Sequence, residues 1–245
     1  MAETELKAGR GTYAGLFFVA LSTLMYEILL TRIFSVTMWY HFAFVAISIA
    51  LFGMTLGAVL VYLFPDRFSL NQAPARLALW ALGFALTIII SFVVHLSIHV
   101  VPDTTSSGLS SLACTYAIIA VPFVFGGICV CVTLTQFPRQ VSSLYAADLC
   151  GAAIGCLLLI VTLEIVDGPT AVVVVSSLAM VGAWCFATDS SVRLAGGGKW
   201  LRVISIIGAI CLISLAIVNA HLAATGQQPI KLTWVKGGKE SPAVF

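Results

Sequence analysis

Seven apolar runs, each long enough to cross a lipid bilayer as a helix, dominate this sequence. A helix that spans a bilayer needs about 20 predominantly apolar residues. The runs occupy residues 12–34, 39–64, 77–101, 112–134, 144–166, 169–186 and 200–220. Only 9% of all residues are charged, far below the roughly 25% of a soluble domain. The sequence therefore predicts an all-α fold, a polytopic transmembrane helical bundle with about seven spans.

The segments between the runs have the composition of turns and linkers. Residues 66–76 contain Asn71, Pro74 and three charges, and residues 189–199 include three consecutive glycines. The fifth and sixth runs are joined by a tight Asp-Gly-Pro turn at residues 167–169. The chain thus divides into a transmembrane helical domain, residues 1–226, and a polar C-terminal tail, residues 227–245.

Lysine and arginine are unevenly distributed between the two ends of the predicted spans. If the N-terminus is cytoplasmic, four of the 12 basic residues lie outside, and these are Arg32, Lys231, Lys236 and Lys239. The other basic residues lie on the cytoplasmic side, as the positive-inside rule expects. The sequence therefore predicts a multi-pass protein of the inner (plasma) membrane with a cytoplasmic N-terminus. A net charge of +2 is too small to indicate nucleic-acid binding.

Small residues and one proline mark expected features of helix packing. Gly53 and Gly57 are four residues apart, and Gly151 and Gly155 repeat that spacing. Small residues at this spacing allow two helix backbones to approach closely. Pro122 predicts a kink or break in the fourth helix. Such a break either lines a binding site or adjusts helix packing.

Ionisable and polar residues inside the apolar runs are the candidate functional residues, because charge in a membrane span is costly. Glu27 lies deepest, and it serves either an interhelical hydrogen bond or a proton or cation. Arg32 is five residues further on, so the two side chains do not share a helix face. Asp148 stands beside Tyr145, one turn into the fifth run, where helix capping or interfacial anchoring is the favoured interpretation.

The histidines suggest a weaker hypothesis, a metal or haem ligand. His95 and His99 are four residues apart and so share one helix face, and His41 lies at the same predicted side of the membrane. Interfacial anchoring is the alternative. The seven cysteines lie in apolar runs, where small packing residues are expected. The sequence identifies no cofactor and contains no P-loop, HExxH or GxSxG motif.

Three stretches together resemble a known family. They are YEILLTRIFSVTMWYHFAFVAISIALFGMTLGAVLVYLF at residues 26–64, LYAADLCGAAIGCLLLI at residues 144–160 and WVKGGKESPAVF at residues 234–245. The chain resembles the membrane-embedded N-terminal region of bacterial spermidine-synthase-like proteins. In that family a soluble polyamine-synthase or methyltransferase-like domain follows the membrane region and carries the S-adenosyl site and the catalytic acid.

The resemblance implies no catalytic residue within this chain. Aminopropyltransferase-like activity would reside in a C-terminal domain beyond residue 245. Such a domain belongs in the cytoplasm, whereas seven crossings place the tail outside, so a re-entrant fifth–sixth hairpin is one alternative. The expected partners are the bilayer, other transmembrane subunits or a soluble polyamine-synthase-like domain. The expected function is anchoring or substrate handling; an accessory subunit of a membrane complex and a small-solute transporter are the alternatives.

Overall fold

The computed structural model describes residues 7–37, 41–68, 73–97, 106–189, 198–223, 225, 229–230, 234–235 and 238–239. Within these residues, seven helices are long and apolar enough to cross a membrane. They are α1 (Arg10–Thr37), α2 (His41–Leu63), α3 (Ala73–Ser97), α4 (Ser106–Gln136), α5 (Val141–Ile165), α6 (Gly168–Thr188) and α7 (Gly198–Ala223). The prediction of an all-α transmembrane bundle with about seven spans is confirmed.

Short elements complete the described chain. One 3₁₀ turn, Pro65–Phe68, follows α2, and another, Pro138–Gln140, precedes α5. In the tail, β1 (Trp234–Val235) pairs antiparallel with β2 (Gly238–Lys239). The rest of the predicted tail at residues 227–245, apart from residues 229–230, lies outside the described residues.

The fourth helix differs most from the sequence prediction. It begins at Ser106, six residues before the predicted run at 112, and it continues through Pro122 to Gln136. Pro122 therefore does not break the helix, and a kink there, the other form of the prediction, stays a prediction. The glycines that follow Pro122 serve packing instead, because a Cβ at Gly127 would collide with the backbone of Met54 in α2.

Pairs of contacts fix the direction of each helix. Tyr26 meets Ser91 and, further along both helices, Phe34 meets His95, so α1 and α3 are parallel. A Cβ at Gly15 would strike Phe186, and Thr12 bonds to Asp189, so α6 runs antiparallel to α1. The bundle thus has an N-terminal end, where α1 and α3 begin, and an opposite end, where α1 and α3 finish.

The helices divide into an inner and an outer group. α1 lies at the centre and packs against α2, α4, α5 and α6, while α3 bridges α4 and α6. α7 packs mainly on α6, and α2 mainly on α4. The inner helices α1, α4 and α6 bury the most surface, and the outer helices α5 and α7 bury the least. The core therefore lies where α1, α3, α4 and α6 meet.

Both predicted glycine pairs lie at helix contacts. A Cβ at Gly53 would lie 2.7 Å from the Ala120 carbonyl oxygen in α4. A Cβ at Gly155 would lie 2.6 Å from the Leu21 carbonyl oxygen in α1. Only glycine allows backbones to approach this closely, so the predicted role of the small residues is confirmed.

The α5–α6 hairpin consists of two full-length helices of 25 and 21 residues. Their lengths give no support to the re-entrant alternative, because each reaches across a bilayer at 1.5 Å per residue. Asp167 precedes α6, and its backbone carbonyl accepts from the Ala171 amide. The N-terminus and the end of α7 consequently lie at opposite ends of the bundle.

Candidate functional site

Glu27 and Arg32 lie on the less buried edge of α1. The Glu27 side chain is half-buried and the Arg32 side chain is exposed. Among the described residues, neither the carboxylate nor the guanidinium has a hydrogen-bond or ion-pair partner. As their five-residue spacing predicted, the two groups do not pair with each other. Glu27 remains a candidate whose role, structural or proton-binding, the sequence left open.

Asp148 does not cap a helix, so that part of its predicted role is wrong. α5 begins at Val141, and the free amides of a helix N-terminus belong to its first four residues. Asp148 lies in the next turn, half-buried, and has no partner among the described residues. Tyr145 is exposed on the surface of α5, which agrees with interfacial anchoring.

The two carboxylates do not form one site. A Cβ at Gly151 would collide with the Phe17 carbonyl, and a Cβ at Gly155 would collide with the Leu21 carbonyl. Four residues along α5 therefore match four residues along α1, so the two helices are parallel. Asp148 is therefore level with residue 14 of α1, and Glu27 lies 13 residues further on. At 1.5 Å per residue, about 20 Å separates them along the helix axis.

The three histidines of the metal hypothesis have different outcomes. His99 and the side chain of His41 lie outside the described residues. His95 is buried, with its ring 5.3 Å from that of Phe34. Its Nδ1 has no hydrogen-bond partner in the described part of the chain. No group of three potential metal ligands occurs among the described residues, and the metal site stays a prediction.

His95 lies one helical turn from a buried pair of bonded hydroxyls, Ser91 and Tyr26, that the sequence did not reveal. Ser91, one turn earlier on α3, donates to the Ile88 carbonyl at 3.2 Å. Its hydroxyl oxygen therefore accepts from the Tyr26 hydroxyl, also at 3.2 Å. The Tyr26 ring stacks on Phe123 of α4, with 5.4 Å between ring centroids. The four-residue spacing of Ser91 and His95 was the available signal, although it did not identify the partner helix.

The N-terminal end of the bundle is fastened by Asp189, the residue that follows α6. Its buried Oδ2 accepts from both the amide and the hydroxyl of Thr12, each at 2.9 Å. A carboxylate at this position also stabilises the start of α1 through the helix dipole. Gly9 and Gly11 allow α6 to end this close to α1, since a Cβ at Gly9 would collide with the Asp189 carboxylate and one at Gly11 with the Cys185 carbonyl oxygen. The sequence had assigned Asp189 to a linker.

A second set of bonds at the same end joins α1 to α5. The Ala8 amide donates to Gln140 Oε1 at 2.7 Å, and Gln140 Nε2 donates to the Tyr13 hydroxyl at 3.2 Å. Ser143 donates to the Gln140 carbonyl, so the Tyr13 hydroxyl donates to Ser143 Oγ at 2.7 Å. Gln140, Tyr13 and Ser143 each donate one hydrogen bond within this set. The start of α1 is therefore held on two sides.

The opposite end is fastened by Asn219, a fully buried residue near the end of α7. Asn219 Nδ2 donates to Thr170 Oγ1 in α6 at 2.7 Å and to the Ile230 carbonyl at 3.2 Å. Its Oδ1 accepts from the Ile230 amide at 3.0 Å. The Thr170 hydroxyl in turn donates to Asp167. A lone asparagine between Val218 and Ala220 was the sequence signal for this site.

The described polar groups thus serve mainly to hold helices together through hydrogen bonds. Both ends of the bundle are tied by buried hydrogen bonds, while the middle holds a short line of paired hydroxyls among aromatic rings. Such bonds rigidify a structure when every donor is satisfied. Comparison with protein-family models, with curated proteins and with solved structures finds no match for this chain.

Proposed function

We propose that this chain is an integral membrane anchor that holds a further protein domain or subunit at the membrane surface and is not catalytic by itself. Its resemblance to the membrane region of spermidine-synthase-like proteins implies this role in the inner (plasma) membrane, and the distribution of lysine and arginine favours a cytoplasmic N-terminus. The observation that carries the proposal is the attachment of Ile230 to the bundle through Asn219.

The attachment holds Ile230 against the end of α7. Ile230 is eleven residues beyond Asn219 in sequence, yet both of its backbone polar groups bond to the Asn219 amide. Because Asn219 is fully buried and also bonded to α6, it cannot follow a moving tail without losing these bonds. A partner that binds at this end would therefore be held in one orientation relative to the membrane.

The close packing of the described interior residues supports an anchor over a solute carrier. The largest fully buried side chains include Tyr26, Phe84 and Phe123, which lie where the inner helices meet. A carrier uses a polar site near the bilayer midplane that opens alternately to each side. Here the Tyr26 and Ser91 hydroxyls bond to each other within close-packed aromatic rings.

The experiment is to purify the tagged protein from its native membrane in mild detergent and measure the intact mass of the complex. We expect a mass above 26.0 kDa, from a covalent domain or a bound subunit. Asn219→Leu should weaken attachment of that partner, while Ser214→Leu, an exposed change on the same helix, should not. A 26.0 kDa monomer that carries polyamines across vesicles would contradict the anchor and favour the transporter.

An accessory subunit of a larger membrane complex is the second candidate, and it rests on Glu27 and Asp148. Both carboxylates are half-buried in spanning helices and have no partner among the described residues. A carboxylate in a span is costly unless another group satisfies it. A neighbouring helix that supplies a hydrogen-bond donor or a cation would do so, and such a helix would belong to another subunit.

A conservative substitution separates this candidate from the anchor. Glu27→Gln should weaken co-purification of a transmembrane partner, whereas Glu164→Gln, an exposed change at the end of α5, should leave it unchanged. Polyamine handling that changes with Glu27→Gln in a chain free of partners would instead indicate a substrate role for Glu27. If neither readout changes in a folded variant, Glu27 has no part in assembly or in substrate handling.

A further inference from the structure

A lateral groove of about 720 Å³ lies between α2, α3 and α4. Its walls are apolar and include Leu60, Leu79, Val124 and Ile128. The volume falls within the roughly 300–1,000 Å³ of pockets that bind small ligands. None of the residues whose hydrogen bonds hold the two ends of the bundle together lines this groove, so it is independent of the site described above.

The groove lies at the membrane boundary of the N-terminal end. Arg76 lines it and is the first residue of the spanning part of α3. Phe64, which also lines it, directly follows the last residue of α2. Trp80, one turn further into α3 than Arg76, contributes an indole, the ring type that is enriched at the headgroup level of membrane proteins.

Arg76 supplies a positive charge to the groove lining. Its side chain is half-buried, and within the described residues it has no hydrogen-bond or ion-pair partner. A guanidinium is a planar fork of donors that matches the oxygens of a phosphate in a bidentate arrangement. Basic pockets between spanning helices are a recurrent binding site for anionic lipid headgroups.

The apolar wall beneath Arg76 is fixed in place by packing. The Trp80 and Phe125 rings lie 5.7 Å apart, at a tilt of 42°. A Cβ at Gly83 would lie 2.8 Å from the Phe125 ring, so the missing side chain allows Phe125 to pack against α3. The groove therefore has a packed aromatic floor next to the Arg76 guanidinium.

We propose that this groove binds an anionic phospholipid, with its phosphate at Arg76 and one acyl chain along the apolar wall between α2, α3 and α4. The positive charge of Arg76 at the membrane boundary favours the anionic headgroup, and the apolar wall contacts the acyl chain. The inference goes beyond the anchoring role and does not depend on it, because it concerns a different end of the bundle.

The test is native mass spectrometry of the full-length protein in dodecyl maltoside micelles that contain equal amounts of dioleoyl phosphatidylglycerol and dioleoyl phosphatidylcholine. The wild type should retain the anionic lipid about fivefold or more over the zwitterionic one, because the choline cation of phosphatidylcholine offsets the charge of its phosphate and weakens the attraction to Arg76. Arg76→Gln should abolish this preference. Arg10→Gln, which removes an exposed charge at the same end, should preserve it.

A second pair of variants tests the acyl-chain wall and leaves Arg76 intact. Leu79→Trp should fill the groove and reduce retention of both lipids about fivefold. Leu86→Trp lies seven residues further along the same helix face, outside the groove lining, and should leave retention unchanged. Arg76→Lys should keep the preference but lower retention of both lipids, because a lysine retains the charge but not the fork that binds their phosphates.

Three results would overturn the proposal. They are equal retention of both lipids by the wild type, an equal effect of Arg76→Gln and Arg10→Gln, and an equal effect of Leu79→Trp and Leu86→Trp. A stable dimer that Leu79→Trp alone disrupts would assign the groove to a second copy of the chain. If Arg76→Gln does not fold, the Leu79 and Leu86 pair still decides the question.

Discussion

α6 and α7 are neighbours with opposite roles in the bundle. They are 21 and 26 residues long, pack against each other and are both apolar enough to span a membrane. Yet 78% of the most apolar 18-residue stretch of α6 is buried, against 11% of the corresponding stretch of α7, although the stretch in α7 is the more apolar of the two. Apolarity therefore predicts that a helix spans the membrane, but not whether it faces protein or lipid.

Side-chain size and shape account for the difference. α6 carries glycine, alanine and serine at closely packed positions, such as Ala179, Gly182 and Ala183, and its neighbours approach its backbone. α7 carries six isoleucines, and most of them are exposed. Small residues favour helix–helix contact in a membrane, and branched apolar residues are as well solvated by lipid as by protein. Four predictions test this contrast, from the largest expected effect to the smallest.

The largest effect is expected from truncating an aromatic side chain of α6. Phe186 is buried and its ring packs against the Gly15 position of α1. Phe186→Ala should lower the free energy of unfolding by about 3–5 kcal/mol, because it removes contacts and leaves a cavity. The measurement is reversible unfolding in mixed micelles, followed by far-ultraviolet circular dichroism.

The matched change on α7 is Ile207→Ala, at a side chain that is 55% exposed. It should change the free energy of unfolding by less than about 1 kcal/mol, since lipid replaces the lost contacts. Equal losses for the two variants would mean that the exposed face of α7 is covered by protein, and the contrast between the helices would disappear.

The next largest effect is expected at the end of α6, where Asp189 receives two bonds from Thr12. Asp189→Ala removes the acceptor of the Thr12 hydroxyl and leaves the Thr12 amide only the Gly9 carbonyl oxygen, at 3.0 Å. It should cost about 2 kcal/mol, the upper part of the range for helix caps. Combining it with Thr12→Val gives a double-mutant cycle, in which we expect a coupling free energy of about 1 kcal/mol. Additive effects would show that the two side chains do not act together.

The number of helices could be predicted from the sequence because bilayer thickness sets a length for every apolar run. Glycine spacing also predicted where backbones approach, as at Gly53 and Gly155. The partner of each glycine could not be predicted, since spacing gives a face and not a neighbour. A break at Pro122 was wrongly allowed for a related reason: a helix that is held by α1, α2 and α3 continues through a proline.

The polar residues were harder to interpret. Glu27 and Asp148 are conspicuous in sequence because they are charged, yet the structure leaves them about 20 Å apart along the axis and without a described partner. Asp189 and Asn219, which fasten the two ends, lie at the margins of apolar runs, where polar residues are common. Their importance comes from residues far away in sequence, and only the packing of the helices reveals it.

A smaller effect is expected from the bond that joins the start of α7 to the end of α6. Arg202 Nε donates to the Ala187 carbonyl at 2.7 Å. Arg202→Leu keeps most of the apolar stem but removes the donor, so stability should fall by about 1 kcal/mol. Lys199→Leu removes an exposed charge one turn earlier and should have no measurable effect. If the two variants behave alike, the Arg202 bond does not hold α7 to α6.

The smallest effect, and the one that separates the two helices by sign, is expected from adding one methyl group to a glycine of each. At Gly208 in α7 the new Cβ would meet the flexible end of Met180, at 2.9 Å from its methyl carbon. Met180 can turn aside, so Gly208→Ala should be neutral or stabilise by up to about 1 kcal/mol through helix propensity.

At Gly182 in α6 the Cβ would lie 3.1 Å from Phe18 Cβ and 3.3 Å from the Gly15 carbonyl oxygen. These atoms belong to the α1 backbone or adjoin it and cannot move alone, so Gly182→Ala should destabilise by about 1 kcal/mol. Thermal unfolding of both variants in the same detergent would measure the difference, and a stabilising Gly182→Ala would show that α6 is packed more loosely against α1 than its burial indicates.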